Sequence, residues 1–216
     1  MSSKRKKYIQ LIAPAAVQIM KDTGLLASLT IAQAVLESGD GESTLAKEHN
    51  NHFGIKGKGD AGTAVMKTKE EVGGKIIQIE AGFRKYSSIE ACFADRTNLL
   101  RNARIGGANS PYRYRHIFGM TDYIQACQAI QKAGYATSSI YAQSLIDLIA
   151  ANNLTQYDKA VAAESEVPTW AKAAIDWGVE AGIFDGTRVN ENVTRAEVIT
   201  MLHRLSKGGG TNGKSV

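Results

Sequence analysis

Apolar residues recur at helical spacing from the start of the chain, with Tyr8, Ile12, Ala15 and Ile19 on one face. Pro14 interrupts that run. Proline suits a first helical turn better than a helix interior, so the pattern predicts a short helix followed by a second one. Gly24 reads as a stop. Ser28 is placed to cap the next helix, which runs through Ile31, Ala32, Val35 and Leu36 to Ser38. That helix is apolar on most sides, which predicts a central place in the core. Residues 39–63 are rich in Gly, Asn and Asp and read as loop. Two extended stretches follow, Val65–Val72 and Lys75–Phe83, and the Gly73-Gly74 link between them is a β-hairpin signal. Ser87 with Glu90 forms a capping box for a helix through Phe93 and Leu100. Two more helices are predicted at about Asp122–Ala133 and Ser139–Asn152. The fold class that emerges is mainly α (α+β), a helical domain with a small β-hairpin.

The pattern then changes. Residues 156–166 are polar and Ala/Glu-rich and read as a linker. Pro168 opens a helix carrying Trp170, Ala174, Trp177 and Ala181, and Gly182 ends it. Thr194-Arg195-Ala196-Glu197 is a capping box ahead of Val198, Met201, Leu202 and Leu205. The expected organisation is therefore a large domain at 1–155, a linker at 156–166, a small helical module at 167–207 and a flexible tail at 208–216. The module is near the lower size limit for folding alone.

Composition narrows the class. The 216 residues are 44% hydrophobic and 22% charged, as in ordinary globular chains. No apolar run approaches the roughly 18 residues of a membrane span. The basic start, Met1 to Lys7, lacks the apolar stretch that would make it an export signal. Cys92 and Cys127 sit in apolar helical patterns and read as buried free thiols. The formal charge of +5 belongs to residues 1–158, with 19 Lys/Arg against 14 Asp/Glu, while residues 159–216 balance at 7 against 7. A basic surface attracts polyanions, either nucleic acid or the anionic polymers of a bacterial wall. No recognition-helix motif supports nucleic acid. The histidines His49, His52, His116 and His203 form no metal-ligand pattern, and no glycine-rich string has phosphate-loop spacing, so neither metal nor cofactor is expected.

Glu37 is the candidate for chemistry. It lies in the last turn of an apolar helix, where the helix dipole and apolar neighbours both disfavour its charge. A raised pKa suits a general acid that protonates a leaving oxygen. The same position also fits an ordinary solvated Glu at a helix end.

The string Ser28-Leu29-Thr30-Ile31-Ala32-Gln33-Ala34-Val35-Leu36-Glu37-Ser38-Gly39 resembles the core motif of the bacterial glucosaminidases, glycoside hydrolase family 73. The resemblance continues through Gly41, Ser43, Leu45 and Ala46, then Asn50-Asn51-His52-Phe53-Gly54-Ile55-Lys56, Phe83-Arg84-Lys85-Tyr86 and Ala133-Gly134-Tyr135-Ala136-Thr137, in the family's order. It implies a lysozyme-like fold and hydrolysis of the bond after N-acetylglucosamine in peptidoglycan, with Glu37 as the acid. Asp40 departs from the pattern, where Trp is common.

The family places a second Glu in the hairpin, and Thr68-Lys69-Glu70 matches that setting. With Gly73-Gly74 as the turn, Glu70 lies opposite Ile77 and shares a face with Val72 and Ile79. Its alternative is a charged strand end, and acetamido-assisted chemistry would make a second carboxylate unnecessary as nucleophile. Tyr135 matches a family tyrosine near the reacting sugar. Asn50 and Asn51 are candidate sugar binders or turn formers, and Phe53 and Tyr86 are candidate stacking residues or core.

The C-terminal module resembles a single S-layer homology repeat, through Trp170–Ile175, Gly182-Ile183, Asp185-Gly186 and the box at 194–197. The resemblance implies anchoring to wall polymers, usually by three copies together; with a single copy the module is either a degenerate anchor or one of three supplied by associating chains, and its plain alternative is a helical hairpin that pads the large domain. The expected whole is a lysin acting on peptidoglycan strands: a phage endolysin held in the host cytoplasm until holin-dependent release, or a secreted autolysin lacking its leader. The rival readings are a muramidase or lytic transglycosylase on the same glycan, and a wall-binding protein without catalysis.

Overall fold

The computed structural model describes residues 3–72, 75–165, 174, 176–178, 180–181 and 203, and for residues 69–72, 75–77, 160 and 162–165 it describes the backbone alone. The chain divides into two units, Met1–Val161 and Ala162–Val216. The helical module and tail expected at 167–216 lie almost wholly outside the described residues.

The first unit is built around one helix. The apolar stretch after Gly24 forms α2, Ala27–Ser38, and ten of its twelve residues are buried. Helix α1, Ser3–Thr23, packs against it, as do α5, Tyr123–Lys132, and α6, Tyr141–Ala151. Helix α4, Ile89–Asn102, closes the core from the α1 side with Cys92, Phe93, Thr97 and Leu100. Each large apolar side chain fully buried here contributes about 1.5–3 kcal/mol. Cys92 and Cys127 are both free and buried, as expected, and burial pushes both thiols up to about 12.

Four local expectations are corrected. Helix α1 runs unbroken through Pro14. Pro14 faces solvent, so its ring and the carbonyl it leaves unbonded, that of Gln10, meet water, while Ile12, Ala13, Ala15 and Ala16 bury both halves together. Ser28 does not cap α2. The helix begins at Ala27, and the carboxylate of Asp158 accepts the Ser28 N–H at 2.9 Å across 130 residues of sequence. Asp158 belongs to α7, Thr155–Ser165, which occupies the segment expected as a linker. Its Ala- and Glu-rich sequence favours helix, and Leu154 and Val161 anchor it to the first unit. Finally, the cap of α4 is Ser88, whose hydroxyl accepts from Ala91 N at 3.2 Å, while Ser87 bonds Asp60.

The loop at 39–63 contains one short helix, α3, Thr44–His49, capped by Ser43. The hairpin forms as expected, with β1, Gly62–Val72, antiparallel to β2, Lys75–Lys85. Its register pairs Glu70 with Ile77 and Glu71 with Ile76, as the Gly73-Gly74 turn predicted.

A polar cluster ties α1 to the loop. The Tyr8 hydroxyl lies 2.8 Å from His52 Nδ1 and 3.0 Å from Ser38 Oγ. Burial pulls the His52 pKa down to about 4. In the unfolded chain the imidazole protonates near its ordinary value, so stability is full above about pH 6.5 and drains as pH falls toward 4. His52→Phe is expected to flatten that acid slope of urea-unfolding stability, whose full height is on the order of 3 kcal/mol. Asp158→Ala removes the cap of α2 and is expected to cost about 1 kcal/mol in the same measurement at pH 7.

Candidate active site

Glu37 leaves the core where α2 ends. The chain reverses through three consecutive left-handed residues, Gly39, Asp40 and Gly41, at φ of 60°, 62° and 78°. Ser38 pins the reversal: its hydroxyl donates to Ala34 O at 2.6 Å and accepts from Gly41 N at 2.7 Å. A side chain at 41 would run into the Tyr8 ring, so glycine is required there. Asp40, which stands where the family commonly has Trp, is held by Arg5 in a two-pronged pair at 2.7 and 3.1 Å. That pair supports the one non-glycine residue of the reversal and fastens α1 beside the acid.

The carboxyl of Glu37 faces solvent along one side and protein along the other. Tyr141, at the first turn of α6, donates its hydroxyl to Glu37 Oε1 at 2.8 Å. Gln33, one turn before Glu37 on α2, donates to the Tyr141 oxygen at 3.0 Å. Arg96 of α4 in turn donates to Gln33 Oε1. Arg96 is 2% exposed, and its Nε and Nη1 have no hydrogen-bond partner among the described residues. Its charge lies 5.1 Å from the Phe53 ring centre and 5.9 Å from that of Tyr135, within cation–π range.

These contacts compete at the carboxyl. Crowding by protein raises the Glu37 pKa above the ordinary carboxylate value, while the Tyr141 hydrogen bond and the Arg96 charge pull it down. Burial prevails, so the acid keeps its proton to higher pH than a solvated Glu. The raised pKa that the sequence suggested is present, and its leading cause is packing.

Other candidates are placed differently. Tyr135 stacks on Tyr141 with ring centres 5.7 Å apart, and Tyr114 meets it edge-on at 6.3 Å. The phenol bonded to the acid is thus Tyr141, the first residue of α6 and six residues beyond the expected tyrosine. Asn51 is corrected to a loop-shaping residue. It is 1% exposed, its amide donates to Ile55 O and Arg84 O at 2.9 Å each, and its oxygen accepts from Ile55 N. Asn50 caps α3 at φ 50° and donates to Tyr86 O. Phe53 and Tyr86 are buried and cannot stack on a sugar. Phe53 packs on Phe93 at 5.0 Å, and the Tyr86 hydroxyl donates to Asp95 at 2.6 Å. The side chain of Glu70 lies outside the described residues. No cluster of His, Cys, Asp and Glu fit to hold a metal occurs among the described residues.

Gln33, Tyr141 and Arg96 were missed in the sequence. Gln33 carries a readable signal, a polar residue on an apolar helix four positions before Glu37 and so on its face. Arg96 carries another, a cation in the apolar stripe of Cys92, Phe93 and Leu100. For Tyr141 nothing in the local pattern points to the acid.

Comparisons with known proteins give the family and the fold around this carboxyl. The glucosaminidase family model, described as mannosyl-glycoprotein endo-β-N-acetylglucosaminidase, matches residues 13–154, and the chain belongs to that family. Exo-glucosaminidase LytG of Bacillus subtilis is 36% identical over 135 residues, covering 62% of this chain and 47% of its own. A probable N-acetylmuramidase of Lactococcus lactis is 35% identical over 157 residues, covering 72% and 35%. The catalytic domain of the autolysin Auto from Listeria monocytogenes superposes with a TM-score of 0.65 at 35% identity, over 73% of this chain and 89% of that one. The chain spans about a fifth to about half of the length of the curated relatives it matches. The expected fold class, a lysozyme-like helical domain with a small hairpin, is the one found.

Tyr141→Phe removes a bond that favours the charged carboxylate. The Glu37 carboxyl is therefore expected to titrate at higher pH in the variant, followed by carbon NMR of the labelled side chain.

Proposed function

We propose that this protein is a peptidoglycan hydrolase that cuts the β-1,4 bond after N-acetylglucosamine, with Glu37 as general acid. The observation that carries the reading is the raised pKa of Glu37 together with the Tyr141 bond to its Oε1. With Oε1 engaged, Oε2 carries the proton. It passes to the glycosidic oxygen as the bond to the anomeric carbon breaks, and water attacks that carbon. Glu70 activates the water, or the substrate's acetamido group attacks first and water then opens the product. The register of Glu70, opposite Ile77, supports its place on the hairpin's apolar face. Tyr135 supports the site by stacking on Tyr141.

The relatives guide the choice of substrate. LytG is named an exo-glucosaminidase and Auto an autolysin, and peptidoglycan hydrolysis fits both. The Lactococcus relative, named a probable N-acetylmuramidase, favours a second reading, cleavage on the other side of the same disaccharide. The C-terminal module fits an S-layer-like anchor to anionic wall polymers, with trimer formation restoring three copies. The protein acts at the cell wall, reached by holin-dependent release from a host cytoplasm or by secretion.

Mass spectrometry of fragments released from purified peptidoglycan tests the reading. Wild type is expected to leave reducing N-acetylglucosamine ends, and Glu37→Gln to lose about a hundredfold or more in rate. Reducing N-acetylmuramic acid ends would make the muramidase reading correct. Equal release by both proteins would remove Glu37 from the chemistry. The raised pKa adds a second signature. The folded state prefers the neutral acid, so its stabilising effect is present at low pH and lost as pH rises through the folded value. Glu37→Gln is accordingly expected to melt higher than wild type at pH 8, with the difference closing by pH 4.

A further inference from the structure

The basic excess of the first unit is concentrated in two stretches, the start of α1 with Lys4, Arg5, Lys6 and Lys7, and the segment after Asp95. Between Asp95 and Asp122 the chain carries Arg96, Arg101, Arg104, Arg113 and Arg115 and no acidic residue. Arg96 lies under the acid. Arg104 and Arg115 hold their own loop in shape, both lying over the Tyr112 ring, at 4.0 and 3.2 Å from its centre. Arg104 also donates to Ser110 O and the Tyr112 hydroxyl. Arg113 is left to a cavity of about 640 Å³ between this loop and the end of α5, where His116 and Lys132 join it. Ile105, Ala129, Ala133 and Gly134 complete the lining, and none of the lining residues is acidic.

We propose that this cleft binds the peptide stems of the glycan strand by a carboxylate, gripped by Arg113 and Lys132 with His116 beside them. The proposal rests on the peptidoglycan reading above and deepens it. Arg113 makes one weak bond, to Ala133 O at 3.4 Å, which leaves the rest of its donor fork for a ligand. Peptidoglycan stems are short peptides built of alanine and carboxylated residues. The methyl-sized walls of Ala129 and Ala133 suit the alanines, and the cations suit the acids. The volume is that of an ordinary small-ligand site. The cleft also adjoins the acid through covalent neighbours. Gly134 precedes Tyr135, and Arg113 precedes Tyr114; those two tyrosines meet edge-on, and Tyr135 stacks on Tyr141, which bonds Glu37. The proposal places the stems of a strand bound at Glu37 on these cations.

Two measurements on the full chain test this. The first is calorimetric binding of a soluble stem peptide with free carboxylates to wild type, to Arg113→Gln/Lys132→Gln and to Lys132→Glu, whose exposed position spares the core. Binding by wild type that weakens about tenfold or more in both variants is expected. The second is the ratio of kcat/KM on stem-bearing glycan to that on the same glycan stripped of stems, which is expected to fall by a similar factor. Equal stem binding by all three proteins, or an unchanged ratio, would overturn the proposal. So would binding of a phosphodiester wall polymer at the same residues without stem binding. If wild type binds stems through these residues yet cuts no peptidoglycan, the hydrolase reading fails while the cleft stands.

Discussion

The structure depends on the burial of α2. A helix apolar on most of its surface has no stable place but the middle of a helical core. Packing it against α1, α5 and α6 fixes its axis, and so fixes where its last turn reaches solvent. Glu37 sits on that turn. Its position is set by the same apolar contacts that hold the fold together, which is why a single carboxyl can be aimed without a rigid loop around it. The reversal at Gly39–Gly41 then turns the chain away at once and leaves the carboxyl uncovered.

The cost of this placement is electrostatic. Ionised Glu37 meets the negative end of its own helix and a crowded protein wall. The chain that runs from Tyr141 through Gln33 to Arg96 tempers the penalty without cancelling it. Arg96 itself is an expensive group, a buried cation with two nitrogens unbonded among the described residues. Its attraction to Glu37 and its place over two aromatic rings offset part of that cost. Strained electrostatics of this kind concentrate where proteins do chemistry.

The two tyrosines show how the site grows out of packing. Tyr135, the residue the motif pointed to, supports the acid through a stacked ring, and Tyr141 touches it. Phe53, Tyr86 and Asn51, matched by the same motifs, build the floor: the first two fill the core, and the third ties the loop after α3 to the hairpin. A motif records positions that a fold needs kept, and it does not separate residues that meet substrate from residues that hold those in place. At Asp40, the departure from the family's Trp serves an ion pair with Arg5 that closes the reversal beside the acid.

What the sequence determined by itself is whatever local pattern and turn chemistry control. The all-round apolar run made α2 a core helix, Gly73-Gly74 set the hairpin register that pairs Glu70 with Ile77, and the dipole argument marked Glu37. Tertiary structure decided the rest. Pro14 lies inside one long helix because both of its flanks are buried against α2, a contact no local rule contains. Asp158 caps α2 in place of Ser28 because folding brings together groups 130 residues apart. Tyr141 reaches Glu37 for the same reason, since α2 and α6 share no sequence neighbourhood and meet only when their apolar faces are buried together.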